Sequence, residues 1–222
     1  MSKILRENGL SIVLILLLLL AFVGQILAGR LTYNEDQRAH GEPAVDLVGY
    51  LSTPHFVEAT TENWESEFLQ MFAFVLLTAY LFQKGSAESR KLDEEEPVNR
   101  DPRKSRNKKN APWPVRKGGV VLRIYEYSLS LAFLVLFIVS FALHAMSGVR
   151  EYNQDQLQHG DPVQLSAIEY LGTSRFWFES FQNWQSEFLA VAAMVLLSIF
   201  LRQRGSPESK PVDSPHSETG GK

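Results

Sequence analysis

Four apolar runs alternate with polar segments along the chain. Leu10–Ala28 and Ser128–Met146 contain no Asp, Glu, Lys or Arg, and as α-helices each is long enough to cross a hydrocarbon core about 30 Å thick. Phe68–Phe82 and Phe188–Leu201 are shorter, and each reaches about 20 residues only when it is extended backwards to the preceding Asn-Trp pair. The pattern therefore predicts four membrane-spanning helices, at about residues 10–28, 63–82, 128–146 and 183–202.

A cleavable signal peptide is the alternative interpretation of the first run, because Lys3 and Arg6 precede it. The residues before Gly29 are Ile-Leu-Ala, which is not the small-x-small pattern of a cleavage site. The corresponding run at Ser128–Met146 is internal and cannot be a signal peptide. We therefore interpret the first run as a membrane anchor.

The basic residues predict the orientation. Lys and Arg concentrate in the N-terminal segment, the middle of the chain and the C-terminal tail, and such residues favour the cytoplasmic side of a membrane. The outer loops, at 29–62 and 147–182, contain far more acidic than basic residues. We expect both termini to be cytoplasmic and the outer face to attract cations. The basic residues of the outer loops are Arg30, Arg38, Arg150 and Arg175.

A polar phrase occurs twice in the chain. YNEDQRAHGEP at Tyr33–Pro43 returns as YNQDQLQHGDP at Tyr152–Pro162, and matching residues continue on both sides. We interpret this as a tandem duplication of a two-helix hairpin with its outer loop. Two such copies insert in the same orientation, because each has an even number of spans. The sequence therefore predicts an all-α integral membrane four-helix bundle with pseudo-two-fold symmetry, with repeat 1 at 1–85 and repeat 2 at 121–205.

The remaining segments are polar. The basic linker at 86–120 and the tail at 206–222 have little apolar surface to bury, and we predict that both are disordered and cytoplasmic. The basic block Arg103–Lys109 is interpreted as a topology signal, with binding of anionic lipid or nucleic acid as the alternative. No nucleic-acid partner is expected.

Each outer loop is also predicted to contain a short interfacial helix. An acidic residue followed by Pro43 or Pro162 is typical of a helix start, and Gly49 or Gly172 of a stop. Apolar residues follow at helical spacing, which favours a helix in the outer headgroup layer. These apolar residues are Val45, Leu47, Val48 and Leu51 in the first loop, and Val163, Leu165, Ile168 and Leu171 in the second.

Aromatic residues at the predicted interface are interpreted as anchors. Trp64 and Trp184 lie at the starts of the second and fourth spans, and indole rings favour the membrane interface. A second short amphipathic helix is predicted from Thr53 in the first loop and from Thr173 in the second, where it carries Phe176, Trp177 and Phe178, which would face either lipid or a partner protein.

The repeated phrase supplies one candidate site. If Asp36 and His40 lie on a helix, their spacing places them on one face, and Asp155 with His159 repeats the pair. Two carboxylates and two imidazoles suit zinc, manganese or iron. The alternative is structural: an Asn or Asp caps a short turn, and each histidine bonds only a carbonyl group.

A second candidate site lies inside the predicted bundle. Gln25 and His144 occupy equivalent places near the outer ends of spans one and three, and Glu67 and Glu187 near the outer ends of spans two and four. Ionisable residues within spans are costly and usually find partners, so this group could hold a proton or a cation. The alternatives are polar bonds between helices and acidic residues at helix N-termini.

Few catalytic chemistries remain open. The chain has no cysteine, which excludes disulfides, thiolate metal sites and cysteine nucleophiles, and it contains no phosphate-binding loop, HExxH or GxSxG motif. We therefore expect no enzymatic activity. A membrane-embedded metal hydrolase is a third alternative, for which the spacing assigns no base, nucleophile or orienting group.

Four phrases carry a resemblance to a known family. RENGLS at Arg6–Ser11, YNEDQ at Tyr33–Gln37, HGEP at His40–Pro43 and NWESEFLQ at Asn63–Gln70 resemble a family of small bacterial four-span membrane proteins known only as a domain of unknown function. The resemblance covers both repeats. It implies a bacterial inner membrane and supplies no activity or ligand.

Our leading expectation is a non-enzymatic envelope or scaffold protein whose outer cap docks a partner protein or lipid. The alternative is a bundle that binds or conducts divalent cations or protons through the His, Asp and Glu residues of the outer face. No organic cofactor is predicted, a divalent metal is left as an alternative, and a homo-oligomer is also left open.

Overall fold

The computed structural model describes residues 3–91, 96–160 and 164–220. The fold is all-helical, and the described residues contain no β-strand. Two short 3-10 helices lie at Pro97–Asn99 and Pro102–Ser105. The α-helices are α1 (Lys3–Ala39), α2 (Leu47–Leu51), α3 (Pro54–Tyr80), α4 (Trp113–Lys117), α5 (Gly119–Glu126), α6 (Ser128–Gln158), α7 (Ala167–Tyr170) and α8 (Ser174–Phe200).

Three helices, α1, α6 and α8, are long and apolar enough to cross a membrane. They contain three of the four predicted spans. The fourth, at 63–82, is not confirmed, because Glu65, Glu67 and Gln70 interrupt the apolar face of α3. The first and third predicted spans end well before their helices do: α1 continues to Ala39 and α6 to Gln158, so the repeated polar phrase is largely helical. The predicted span at 183–202 differs at its start, because α8 begins at Ser174 rather than at 183 and ends at Phe200.

The chain forms two compact units. Unit 1 comprises residues 1–61 and 142–176, and therefore contains the polar ends of α1 and α6 with the short helices α2 and α7. Unit 2 comprises residues 62–141 and 177–222, and contains the apolar part of α3, the first part of α6 and most of α8.

In unit 1, two asparagines hold the chain that follows the long helices. The side chain of Asn34 donates to the carbonyl of Val45 (2.9 Å) and accepts from the amide of Val45 (2.8 Å). Asn153 makes the same two bonds to Leu165, both at 2.8 Å. An amide side chain suits this role because it carries a donor and an acceptor together. The asparagine of the repeated Tyr-Asn pair thus has the same structural role at both places where the phrase occurs.

The short helices start later than predicted. α2 begins at Leu47, where Asp46 caps it by accepting from the amide of Gly49 (2.7 Å). α7 begins at Ala167 with a capping box, in which Ser166 and Glu169 bond each other's backbone amides. A polar side chain satisfies the first free amides of a helix, and this outweighs the proline as a start signal. The predicted start at Asp161-Pro162 and the apolar Val163 lie outside the described residues.

In unit 2, α3 and α8 are followed by the same type of turn. The amide of Gln83 donates to the hydroxyl of Ser89, and the amide of Gln203 to that of Ser209, both at 2.9 Å. Arg90 donates to the carbonyls of Thr78 and Ala79 and so satisfies the free end of α3. The disorder of the linker and tail stays a prediction, and their described parts contain the 3-10 helices, α4 and a series of turns.

Candidate functional site

A small polar cavity of about 100 Å³ lies in unit 1, and we call it the outer pocket. It is formed where the polar ends of α1 and α6 come together with the first turn of α8. Three carboxylates and one guanidinium face it, which gives the lining an excess of negative charge. The lining residues are Tyr33, Asp36, Gln37, Glu151, Gln154, Asp155, Gln158 and Arg175.

Glu151 is the most constrained carboxylate of the outer pocket. The backbone amide of His55 donates to it, but its Oε2 atom is buried and has no hydrogen-bond partner among the described residues. Burial raises the pKa of Glu151. Arg175 opposes this increase in the pKa, whereas the negative charges of Asp155 and Asp36 add to it. The carboxyl group therefore holds a proton more strongly than an exposed glutamate does.

Arg175 also contacts two other residues of the pocket region. Its Nη1 atom donates to Oδ2 of Asp155 at 3.0 Å, and its guanidinium lies over the ring of Tyr152, 5.7 Å from the centroid. Both contacts fix the side chain. The pocket thus combines one paired carboxylate, Asp155, with one partly buried carboxylate, Glu151, whose Oε2 atom has no hydrogen-bond partner among the described residues.

Two further titratable groups lie beside Glu151. Burial lowers the pKa of His55, although the charge of Asp36 acts in the opposite direction, so the imidazole is neutral at pH 7. Burial raises the pKa of Tyr50, and Glu151 and Tyr33 add to this effect. The hydroxyl of Tyr50 lies 3.3 Å from Nδ1 of His55. At neutral pH neither group supplies a positive charge to Glu151.

Four residues predicted from the repeated phrase divide into two pairs. Asp36 and Asp155 line the outer pocket. His40 and His159 lie next to each other, with ring centroids 5.9 Å apart. Across the described part of the chain, ligand atoms of these four residues do not converge within 4.8 Å as a set of three or more. The expected four-ligand site is therefore not assembled in this structure.

The second predicted group is divided between the two units. In unit 1, Gln25 donates to the hydroxyl of Thr60 at 3.2 Å, and His144 is fully buried with its ring stacked on Phe176, 4.8 Å between centroids. A carboxylate oxygen of Glu58 lies within 4.8 Å of a ring nitrogen of His144. Glu58 was not predicted from the sequence, because the equivalent position in the second segment is Phe178 and only residues shared by both segments were considered as site candidates.

Glu58 has a second buried neighbour, Tyr170. The hydroxyl of Tyr170 donates to Oε1 of Glu58 at 3.4 Å, and Tyr170 is fully buried. Gly148 makes this arrangement fit, because a Cβ atom added there would lie 2.7 Å from Cε1 of Tyr170 and 2.8 Å from Oε1 of Glu58. Buried charged groups are tolerated when they are bonded or paired, and this carboxylate has both an aromatic hydroxyl and an imidazole close by.

In unit 2, Glu67 and Glu187 are hydrogen-bonded through their side chains, and Gln70 donates to the carbonyl of Glu187 at 3.0 Å. Sequence reasoning missed Glu65, which is fully buried and accepts from Nε1 of Trp184 at 3.0 Å. Trp184 therefore satisfies a buried acid in addition to any role at the interface.

The remaining predicted anchors differ in exposure. Trp64, Trp177 and Phe178 are exposed, with Phe178 the most exposed of the three at 68%. Phe176 is buried and stacks on His144, so its ring is not available to lipid or to a partner.

These features are compatible with an all-helical membrane protein that carries a polar, acidic pocket at one end of its long helices. The chain belongs to the family described as "Domain of unknown function (DUF6766)", which matches residues 1–221, and the expected family is thereby confirmed. No curated protein and no solved structure is significantly similar to the chain.

Proposed function

We propose that the protein is a multi-pass protein of the bacterial inner membrane, with four spans in two tandem repeats and both termini in the cytoplasm. The twice-written phrase supports the duplication, as do the matching bonds of Asn34 and Asn153. A fourth span in α3 is supported by the bond that Trp184 makes to Glu65, because a satisfied acid costs less to bury.

The topology can be tested directly, because the chain has no cysteine. A single Cys placed at Ser52 should react with a membrane-impermeant maleimide from outside intact cells, and a Cys at Asn107 should react only after the cells are opened. Labelling of Asn107→Cys in intact cells would refute the proposed orientation.

The outer pocket binds a proton or a small cation, and this is the proposed function. The observation that carries it is Glu151, a partly buried carboxyl group whose Oε2 has no hydrogen-bond partner among the described residues. Such a group has two ways to relieve its cost: it takes up a proton, or a cation occupies the place of the missing donor. Asp36 and Asp155 increase the attraction for either ligand.

Melting as a function of pH tests this function with two variants, Glu151→Gln and Glu169→Gln. The pKa of Glu151 is raised above its ordinary value of 4.5, so the stability that its protonated form contributes is complete below pH 4.5 and is lost as pH rises through the raised value. Gln resembles the neutral acid. Glu151→Gln should therefore melt like wild type at acidic pH and at a higher temperature than wild type at alkaline pH.

Glu169→Gln is the matched control, because hydrogen bonds from Ser166 lower the pKa of Glu169. Its contribution is present above the ordinary pKa and is lost as pH falls through the lowered value, so this variant should be less stable than wild type at neutral pH. If the difference between wild type and Glu151→Gln does not change with pH, Glu151 does not bind the proposed proton. The infrared band of a protonated carboxyl group, lost in Glu151→Gln alone, gives an independent measure.

A second candidate function is docking of the outer cap to the lipid headgroup layer. The specific observation is an aromatic ridge on α8 in unit 2, in which Trp177 packs on Phe181 (5.5 Å between centroids) and Phe181 on Trp184 (5.4 Å). Phe178 and Phe181 expose more than half of their surface. Aromatic rings next to an apolar helix favour the membrane interface.

Quenching of tryptophan fluorescence by brominated lipids tests the docking function in nanodiscs. Trp177→Phe should lower the quenchable fraction of the fluorescence, whereas Trp113→Phe should raise it, because Trp113 lies in the linker and is exposed to water. An unquenched Trp177 would refute lipid docking and favour a protein partner on the same ridge.

A further inference from the structure

We propose that His40 and His159 form a site for one divalent transition-metal ion, such as Zn²⁺, Ni²⁺ or Cu²⁺. The two side chains provide the metal ligands, and water completes the coordination. This proposal goes beyond the proton or cation function of Glu151 and does not rest on it, because neither histidine lines the outer pocket.

The first support is the tautomer of each ring. Nδ1 of His40 lies 3.0 Å from the carbonyl oxygen of Asp36, and Nδ1 of His159 lies 2.8 Å from the carbonyl oxygen of Asp155. A carbonyl oxygen can only accept, so in each ring Nδ1 carries the hydrogen and donates. Nε2 of the neutral imidazole then has a free lone pair, which is the form that binds metals.

The second support is the carboxylate beside each ring. Nδ1 of His40 lies 3.5 Å from Oδ1 of Asp36, and Nδ1 of His159 lies 3.4 Å from Oδ1 of Asp155. A carbonyl or carboxylate on the second ring nitrogen is the usual outer partner of a metal-binding histidine, because it orients the ring and makes Nε2 more basic. Both histidines have this partner set.

The third support is the separation of the rings. A metal about 2.0–2.1 Å from Nε2 lies about 3.2 Å from the ring centroid, so two rings that share one ion should have centroids roughly 5 to 6.5 Å apart. The observed separation is 5.9 Å, with the ring planes at 66°. The separation of the two rings therefore matches that of two imidazoles that share one ion.

The fourth feature is access. The side chains of His40 and His159 are 32% and 64% exposed, so an ion can reach them and water can occupy the remaining positions. Two protein ligands bind more weakly than the four of a structural zinc site. Imidazole also favours these metals over Mg²⁺ or Ca²⁺, which take oxygen ligands.

Calorimetric titration of the full chain in detergent, purified without a histidine tag, tests the proposal with Zn²⁺ and Ni²⁺. Wild type should bind one ion per chain, and His40→Phe and His159→Phe should each lose this stoichiometric binding while keeping an aromatic ring at the position. His216→Ala is the matched control, because this exposed tail histidine should not affect binding. Retained binding in either Phe variant would overturn the proposal.

A spectroscopic measurement keeps the test independent of folding. Cu²⁺ bound to wild type should show electron paramagnetic coupling to two imidazole nitrogens, and coupling to none or to only one would overturn the shared site. The failure of this proposal is distinguishable from that of the pocket function. Glu151→Gln should retain metal binding but lose the pH dependence of melting that Glu151 causes. His40→Phe should lose metal binding and retain that pH dependence.

Discussion

Replacement of Gly148 by alanine is the sharpest test of how unit 1 is packed. A Cβ atom at this position would lie 2.7 Å from Cε1 and 2.9 Å from the hydroxyl of Tyr170, and 2.8 Å from Oε1 of Glu58. Ordinary van der Waals contacts of a Cβ begin at 3.4 Å, so both neighbours would have to move by more than half an ångström. Tyr170 and Glu58 are both buried, so a displacement of either side chain disturbs its packed neighbours.

The expected change in the free energy of unfolding combines one stabilising and two destabilising effects. Alanine favours a helix over glycine by about 1 kcal/mol. Overpacking of a buried position costs roughly 1–3 kcal/mol. Displacement of the Tyr170 hydroxyl from Glu58 leaves a buried carboxylate with one donor fewer, at about 1–3 kcal/mol. We therefore expect Gly148→Ala to lower the free energy of unfolding by roughly 3 kcal/mol.

Unfolding of the detergent-solubilised protein by increasing SDS, followed by circular dichroism, measures this change. Gly24→Ala is the control, because Gly24 also lies within a long helix but has no atom within 4 Å of an added Cβ. That variant should be unchanged or more stable by up to about 1 kcal/mol. If Gly148→Ala is as stable as Gly24→Ala, the close approach of Tyr170 and Glu58 to α6 is not present in solution.

Three other substitutions have defined outcomes. Asn153→Ala removes both bonds to the chain before α7 and should destabilise by about 1–3 kcal/mol in the same SDS assay, whereas a change near zero would mean that the bonds do not hold that segment. Trp184→Phe keeps the ring but takes the donor from Glu65, and should cost about 2 kcal/mol; wild-type stability would show that Glu65 has other sufficient partners. Arg175→Gln should raise the pKa of Glu151 further, because the charge of Arg175 favours the ionised carboxylate. The infrared titration of the carboxyl group should therefore move to higher pH, and a shift to lower pH would contradict the assigned charge effect.

The apolar pattern was sufficient to predict most of the long helices. Uncharged runs of about 20 residues have few alternatives to a spanning helix, so α1 and α6 were predicted from composition alone, and α8 also proved long and apolar enough. The span in α3 is not confirmed, because Glu65, Glu67 and Gln70 interrupt its apolar face. The cost of burying such acids depends on the partners that they find in the fold. A partner such as Trp184 is distant in sequence, and no local pattern indicates it.

The candidate site was only partly predictable. Asp36 and Asp155 were found because both copies of the phrase contain them. Glu151 was missed because the equivalent residue of the first copy is Thr32, and a search for shared residues passes over a position at which the copies differ. Glu151, the carboxyl group of the pocket with a raised pKa, thus lies at a position where the two matching segments differ.

In the topology that we propose, the lengths of α1 and α6 place the outer pocket beyond the hydrocarbon core and so outside most of the membrane's electric field. The apolar run of α6 ends at Met146, and Glu151 lies five residues later, about 7 Å along the helix. A full crossing of the membrane costs about 2.3 kcal/mol per charge for every 100 mV, but a charge that binds beyond the hydrocarbon core crosses almost none of this potential. Occupancy of the pocket should therefore follow the composition of the outer solution and be nearly independent of membrane voltage.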